Sequence, residues 1–526
     1  MKKFTAILLT IIMLFTVLPL TVFAETDTGY IECTSAEKHH TFSGNAKLDS
    51  HGNRLLLCET CGQYSTAKTG DYYMYGSYPQ SVVTDDTLKT KLSDLAGDTA
   101  GWTSYNYYIS NEQSDFMKYT DIDYDGEAYR GVYFSTYRPL ITSGDDSHYY
   151  RNGYTRNKIH WFKYDPIIWQ VLSFNVKTGT AVVLSKYMLD SQQYSHYNVE
   201  TRKIDNKTVY SNNYMYSDIR LWLNDIFYDT AFKKADKSMI TKTTLDKGLA
   251  LNEEYNSESP MDYVWLLSYS EAQDSTYGLD TNASRKTKRT EYAKSQGIGY
   301  SKWHLRTAGE RTNRACIVDG VSLETNKIDT EDTYIGVRPA LTLQIPYEIL
   351  VTYKLDDGRF VDDYTEPPSY LSNETFTPPA ADKIVKDGYT FAGWTLTTDT
   401  DTAKEYTANW TANTYNISYE LNGSTNATAN PATYTYGVGV SELSDPTKDG
   451  YTFAGWTLNG NAVTSISTTQ FGDITLTAQW EEIPVEPDDS DDDSSGGVRM
   501  FYWLKWLLEF LNKLMTKMFD ILGWAY

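Results

Sequence analysis

Lys386-Asp-Gly-Tyr-Thr-Phe-Ala-Gly-Trp-Thr-Leu396 and Lys448-Asp-Gly-Tyr-Thr-Phe-Ala-Gly-Trp-Thr-Leu458 are the same eleven residues. A stretch copied intact marks an array of small modules, and such arrays extend, space or bind. An alternating strand precedes each copy, Val351-Thr-Tyr-Lys-Leu355 in the first and Ile417-Ser-Tyr-Glu-Leu421 in the second, and a short strand ending in Trp410 or Trp480 follows it. A period of two sets Val351, Tyr353 and Leu355 on one sheet face. The Tyr, Phe and Trp of the copied stretch also alternate, and its glycines permit a turn or a bulge. A module of roughly 65 residues buries little core, so large aromatics must supply much of it. Trp394 and Trp456 are therefore expected as core anchors.

The Tyr-x-Leu-x-x-Gly opening, the Gly-Tyr-x-Phe-x-Gly-Trp centre and the closing Ala408-Asn-Trp410 and Ala478-Gln-Trp480 resemble the internalin-type B-repeat, or Listeria–Bacteroides repeat. The resemblance implies two small β-grasp-like modules, 347–413 and 414–481, of a kind carried by bacterial surface proteins. It implies no catalytic residue.

The N-terminus suits that address. Lys2 and Lys3 precede an apolar run from Phe4 to Leu20, and Val22-Phe-Ala24 fits a cleavage site, so residues 1–24 are expected to be a secretory signal peptide. The 526 residues suggest about three or four domains. Aromatic residues make up 14%, with 45 Tyr, which favours β-rich structure and contact surfaces for carbohydrate or protein. A formal charge of −22 with no basic stripe argues against nucleic acid as a partner.

Three of four cysteines lie close together in 25–70. Cys58-Glu-Thr-Cys61-Gly62 is a knuckle, Cys33 lies upstream, and His39 and His40 fall between. Three thiolates and one imidazole make a tetrahedral set suited to structural zinc. The segment resembles small Cys-x-His … Cys-x-x-Cys-Gly modules of Gram-positive surface proteins, with a wider first spacing. That resemblance selects Cys33, His40, Cys58 and Cys61, with His39 as the substitute. A disulfide, Cys58 with Cys61 or Cys33 with either, is the alternative for an exported chain, and idle thiols are a third.

Residues 71–346 form the largest unit. Strands are expected at Tyr129–Phe134, Ile167–Leu172, Thr180–Leu184 and Asp262–Leu267, and helices at Ser217–Phe227, with Ser217 as cap, and at Ser270–Gln273. The mixture suggests α+β. Gly76-Ser-Tyr-Pro-Gln80, Pro166-Ile-Ile-Trp-Gln-Val-Leu172, Ile219-Arg-Leu-Trp-Leu-Asn224, Trp303-His-Leu-Arg-Thr-Ala-Gly309 and Ile335-Gly-Val-Arg-Pro-Ala-Leu341 resemble a family of bacterial extracellular domains of unknown function. The last two motifs are distantly similar to the sulfatase-modifying-factor group, which implies a C-type-lectin-like, ligand-presenting scaffold. Trp303, His304, Arg306 and Arg338 are the candidate ligand-binding residues; buried arginines locked in ion pairs are the plainer reading of Arg306 and Arg338, and binding of an anionic ligand group is the alternative. The sulfatase-modifying enzymes use a cysteine pair, and here Cys316 stands alone, so that chemistry does not carry over. No other catalytic constellation is legible. Asp121-Ile-Asp-Tyr-Asp-Gly126 superficially matches a calcium loop, but its twelfth position is Val132 instead of Glu. A hairpin turned at Asp125-Gly126 is expected instead.

After Trp480, residues 482–497 form an acidic linker. Residues 498–526 are predicted to form an amphipathic helix. Lys505, Glu509, Asn512, Lys513, Thr516, Lys517 and Asp520 lie on one face, opposite Phe501, Leu504, Leu508, Leu511, Met515, Phe519 and Leu522. Four basic against two acidic residues leave about two net charges, each worth about 1 kcal/mol at an anionic surface. One buried Leu or Phe contributes about 1.5–3 kcal/mol, so apolar burial would dominate. The helix is expected to lie on a membrane surface, with self-association or docking on this chain as the alternative.

These features together point to a secreted, cell-envelope-associated binding or adhesion protein: a Cys/His module, a lectin-like domain, a two-repeat stalk and an interfacial tail. Its ligand would be a surface glycan or protein. An extracellular enzyme acting on glycans or peptides, with the repeats as spacers, is the alternative.

Overall fold

The computed structural model describes residues 29–105, 117–135, 154–196, 201–246, 259–297, 301–320, 322–330, 332–484, 504–512 and 515. The signal-peptide and acidic-linker expectations fall almost wholly outside them. The architecture is mostly β-sheet with few, short helices, arranged in several domains.

The largest sheet is built on one long strand, Ile159–Asn175. Ile167, Trp169 and Val171 alternate along it and are all buried, as the period of a strand requires. One edge holds Glu127–Phe134 and then, past Pro166, Thr180–Ser185; the other holds Tyr72–Val82. Ala340–Gln344 extends the sheet beyond Thr180–Ser185 and carries Ile240–Thr241 and Val264–Trp265 at its far edge. The strand expected over Asp262–Leu267 is thus two short pairings, Met261–Asp262 and Val264–Trp265. A second sheet orders Asp190–Ser191, Gly336–Val337, Lys302–Ala308, Arg314–Asp319 and Ser322–Asp329. Both sheets feed one core with the helical stretch after Ser217, through Trp169, Leu184, Leu341, Trp303, Leu305, Ile219, Trp222 and Phe227.

Ser217 caps that stretch by accepting the Arg220 N–H at 3.3 Å. The helix is α over Asp218–Trp222, π over Leu223–Phe227 and α again over Tyr228–Ala231. Within the π turn the Asn224 amide donates to Val264 O at 2.9 Å and accepts from Tyr263 N at 2.8 Å, which ties the helix to the sheet edge. The second expected helix is a single 3₁₀ turn, Glu271–Gln273.

Met117–Tyr124 and Glu127–Phe134 form the expected hairpin, with Asp125 and Gly126 both at positive φ in its two-residue turn. The Asp121 carboxylate is taken by Arg130, whose Nε and Nη2 donate to its two oxygens at 2.8 and 2.7 Å. It is therefore already neutralised by a cation of the protein.

The Cys/His segment is fused to this sheet. Thr41–Phe42 pairs in parallel with Tyr72–Tyr73, and Phe42, Leu56, Cys33 and Cys58 enter the shared core. Further along, Ala46 N donates to Pro346 O at 2.9 Å and Ala46 O accepts from Glu348 N at 3.1 Å. Arg54 Nε donates to Ile345 O at 3.2 Å, and its guanidinium lies over the Tyr347 ring.

The two repeats share a topology. In the second, Thr414–Glu420 runs parallel to Ile474–Glu482, which pairs antiparallel with Tyr451–Leu458. The first orders Ser369–Leu371, Glu348–Lys354, Ala403–Ala412 and Tyr389–Asp399 in the same way. Strict alternation would send Phe453 and Trp456 to opposite faces. Instead the register shifts between Phe453 and Gly455, where Gly455 adopts φ +130°, and this bulge brings both rings inward, 5.4 Å apart. Trp456 is buried with Ile417, Leu443, Ile466 and Leu476. Trp394, its counterpart, is only half-buried, so the core-anchor expectation fits the second repeat better than the first. At the joint between the repeats, Gly388 sits where a Cβ would come within 2.4 Å of the Tyr436 ring, so only glycine fits.

Residues 504–512 are helical, and the rest of the expected C-terminal helix lies outside the described residues apart from Met515. Leu504, Trp506, Leu508, Phe510 and Leu511 are exposed along it. No described helix is long and apolar enough to cross a membrane.

Candidate metal centre

The Cys/His segment turns back on itself in three short strands, Lys47–Leu48, Arg54–Leu57 and Tyr64–Ser65. Cys58 follows the middle strand, and Gly62, at φ +70°, lets the chain reverse after Cys61. The result brings Cys33, His40, Cys58 and Cys61 together, with one ligand atom from each lying within 4.8 Å of the others. A tetrahedral site with metal–sulfur bonds of about 2.3 Å has edges of about 3.8 Å, so the cluster has the right scale. All four cysteines of the chain are free thiols. Cys33, His40 and Cys58 are buried and Cys61 is half-buried. This buried Cys3His group can hold a metal ion.

The imidazole is aimed by its surroundings. His40 Nε2 lies 2.6 Å from Ile31 O, a contact that assigns the ring proton to Nε2 and turns the Nδ1 lone pair to the sulfurs. Cys61 Sγ is 3.7 Å from Nδ1. A backbone carbonyl on the far nitrogen is the usual way a metal-binding histidine is oriented. Phe42 stacks on the ring at 5.0 Å, and Asp71, itself buried, accepts the His40 N–H at 2.9 Å. His39 lies apart, 3.9 Å from Asp71 and partly exposed. Burial raises the Cys58 thiol, but N–H groups of Cys61, Thr41 and Thr60 and the His40 side chain outweigh it and hold the thiol down to about 6. Burial pushes the Cys61 thiol up, as do the Cys58 and Cys33 sulfurs. The cluster therefore offers one ready thiolate, Cys58, beside a Cys61 thiol whose ionisation the neighbouring sulfurs oppose.

The main-domain candidates are elsewhere and enclosed. Trp303, His304, Arg306 and Arg338 are 0%, 0%, 3% and 2% exposed, which places them in the interior. Lys302–Ala308 is covered on both sides, so alternation along it does not separate a wet face from a dry one. Arg306 is locked by Glu271 and Asp246. His304 Nε2 lies 2.9 Å from Gln192 O. Cys316 is buried, and burial pushes its thiol up to about 12, which leaves it inert.

His304 yields a pH prediction. Burial holds its pKa at about 4 against an ordinary 6.5. The unfolded chain takes up that proton first, so the stability present above about pH 6.5 should fall as pH drops towards 4, by up to about 1.4 kcal/mol per unit. Asp332 works oppositely: burial and Asp329 raise it to about 7, and its contribution is lost as pH rises from about 4 to 7. Wild-type melting alone would blend the two. Urea titrations of wild type and His304→Gln at pH 7 and pH 5 should show the variant losing less stability on acidification; equal losses would refute the assignment.

Comparison with known proteins follows the same division. Residues 350–414 and 415–479 each match the Listeria-Bacteroides repeat domain. Residues 178–345 match a domain of unknown function, DUF6273. The order of one such domain followed by two repeats agrees with the sequence reading, and the matches leave the Cys/His segment outside. A curated protein of Evansella cellulosilytica, described as a Gly-rich membrane protein, is 35% identical over 116 residues, covering 19% of this chain and 13% of that protein. The chain thus spans a small part of that relative's length.

Proposed function

We propose that this chain is exported to the bacterial cell envelope and works there as a binding or adhesion protein. The duplicated Listeria-Bacteroides repeats carry the reading, because repeats of that family are typical of surface proteins. A relative described as a membrane protein is in keeping with it. In this reading residues 71–346 are a C-type-lectin-like scaffold that presents a surface for a glycan or protein ligand, and no catalytic step is assigned to it. Zinc is the metal that suits Cys33, His40, Cys58 and Cys61, since three thiolates and an imidazole in a closed site match its preference for four soft-to-borderline donors. Its role would be structural. Fractionation of the native host tests the address: the chain should appear in the envelope or medium, starting near Glu25. An intact cytoplasmic chain retaining Met1–Ala24 would refute export.

The tail extends this reading to a lipid surface. Exposed Leu504, Leu508 and Leu511, which share one face of the helix, suit the boundary between headgroups and acyl chains. Leu508→Asp with Leu511→Asp should release the full chain from liposomes, since each charge would enter the apolar layer. A full chain that ignores liposomes but forms an oligomer dissolved by deleting 498–526 would make the helix an assembly device instead.

A further inference from the structure

Two buried cations of the main domain are neutralised in place, Arg130 by Asp121 and Arg306 by Glu271 and Asp246, and the half-buried Arg220 is paired with Asp262. Arg338 differs. Its Nε donates to Ser185 O at 2.7 Å and its Nη2 to Gln170 Oε1 at 3.3 Å. Its guanidinium lies 5.1 Å from the centre of the Trp303 ring. Among the described residues no carboxylate pairs with it, and Nη1 is buried without an acceptor. Trp303 Nε1 is likewise a buried donor without an acceptor. Burial pushes Arg338 down to about 9, with Tyr72 the opposing influence, so it is still a cation at neutral pH. An enclosed charge without a counter-ion is strongly unfavourable, and two orphaned donors beside it add to the cost.

We infer that Arg338 and Trp303 hold a small inorganic anion of about chloride size between Nη1 and Nε1. An anion satisfies both donors and the charge together, whereas a water molecule would answer only the donors. With Arg338 2% and Trp303 0% exposed, the enclosure leaves no opening for a ligand carboxylate or phosphate ester. The site would be a structural one, set where Gly336–Val337 meets Lys302–Ala308, and it is independent of the envelope reading.

The full chain tests this by anion exchange. Crystals grown in sodium bromide should show an anomalous bromine peak within hydrogen-bond distance of Arg338 Nη1 and Trp303 Nε1. In solution the melting midpoint should rise with sodium chloride and saturate, and should stay lower in sodium gluconate at equal ionic strength, because gluconate is too large to enter. Trp303→Phe keeps a ring beneath the guanidinium but loses the donor, and should raise the half-saturating chloride concentration roughly tenfold. Arg338→Met should melt alike in both salts; if it does not fold, the bromide map and Trp303→Phe still decide. Water in place of bromide, or equal wild-type midpoints in the two salts, would overturn the proposal.

Discussion

Cys58→Ser should strip the protein of bound metal and unfold residues 29–70 as a unit. The segment has only short strands of its own, Thr41–Phe42, Lys47–Leu48, Arg54–Leu57 and Tyr64–Ser65, and such a stretch cannot offset its ordering entropy by local pairing alone. Metal binding by a set of this kind is itself folding free energy. The change leaves two thiols and an imidazole buried around a weaker ligand, and a loss of at least about 3 kcal/mol is expected from the broken site. The damage should spread, because Phe42 and Leu56 belong to the main core and Thr41–Phe42 is a strand of its sheet. Metal analysis of the purified full chain should give one zinc per wild-type chain and almost none for the variant, with new protease cleavage in 29–70. If native material instead carries a Cys58–Cys61 disulfide by mass spectrometry, and Cys58→Ser melts like wild type after chelation, the metal assignment is wrong.

Trp456→Ala should cost about 3–5 kcal/mol, the usual range for truncating a buried large aromatic, and Trp394→Ala clearly less. The two residues occupy the same place in identical eleven-residue stretches, so sequence alone predicts equal effects. Trp456 is 2% exposed, packs on Tyr419 and Phe453, and donates through Nε1 to Ser444 O at 3.1 Å. Trp394 is half-buried and touches Phe391. A repeat of this size has little stability in reserve, so the Trp456 variant should lose the second repeat's melting transition while the main domain keeps its own. Calorimetry of the two full-length variants checks this, and indistinguishable profiles would show that burial does not separate the copies.

The parts of the fold that the sequence revealed are those set by short-range rules. Asp125-Gly126 demands a two-residue turn, Ser217 demands a helix start, and a copied stretch demands a copied module. The Cys3His cluster was visible because few residue types make metal ligands and their spacing is distinctive; the structure added the Ile31 carbonyl that aims His40. What stayed hidden depends on contacts between distant segments. Nothing local in Thr41–Phe42 announces that it pairs with Tyr72–Tyr73. The π turn at Leu223–Phe227 depends on Asn224 reaching Val264 across forty residues. Trp303-His-Leu-Arg306 looks half-exposed because polar and apolar residues alternate, yet Glu271, Asp246 and Gln192 arrive from elsewhere to satisfy the polar ones. The register shift at Gly455 was permitted by glycine but not required by it.

The bridge between Ala46 and the chain leaving the main domain has a mechanical meaning. Any tension carried through Glu348 arrives first at the hydrogen bonds that Ala46 makes with Pro346 and Glu348. Ala46 lies in the segment between His40 and Cys58, within the span of the Cys33, His40, Cys58 and Cys61 cluster. A chain held only by sheet pairing would peel away strand by strand from that point. A metal ion joining residues 33 and 61 would hold Ala46 inside a closed ring, so its two hydrogen bonds would have to break together instead of following a fraying loop.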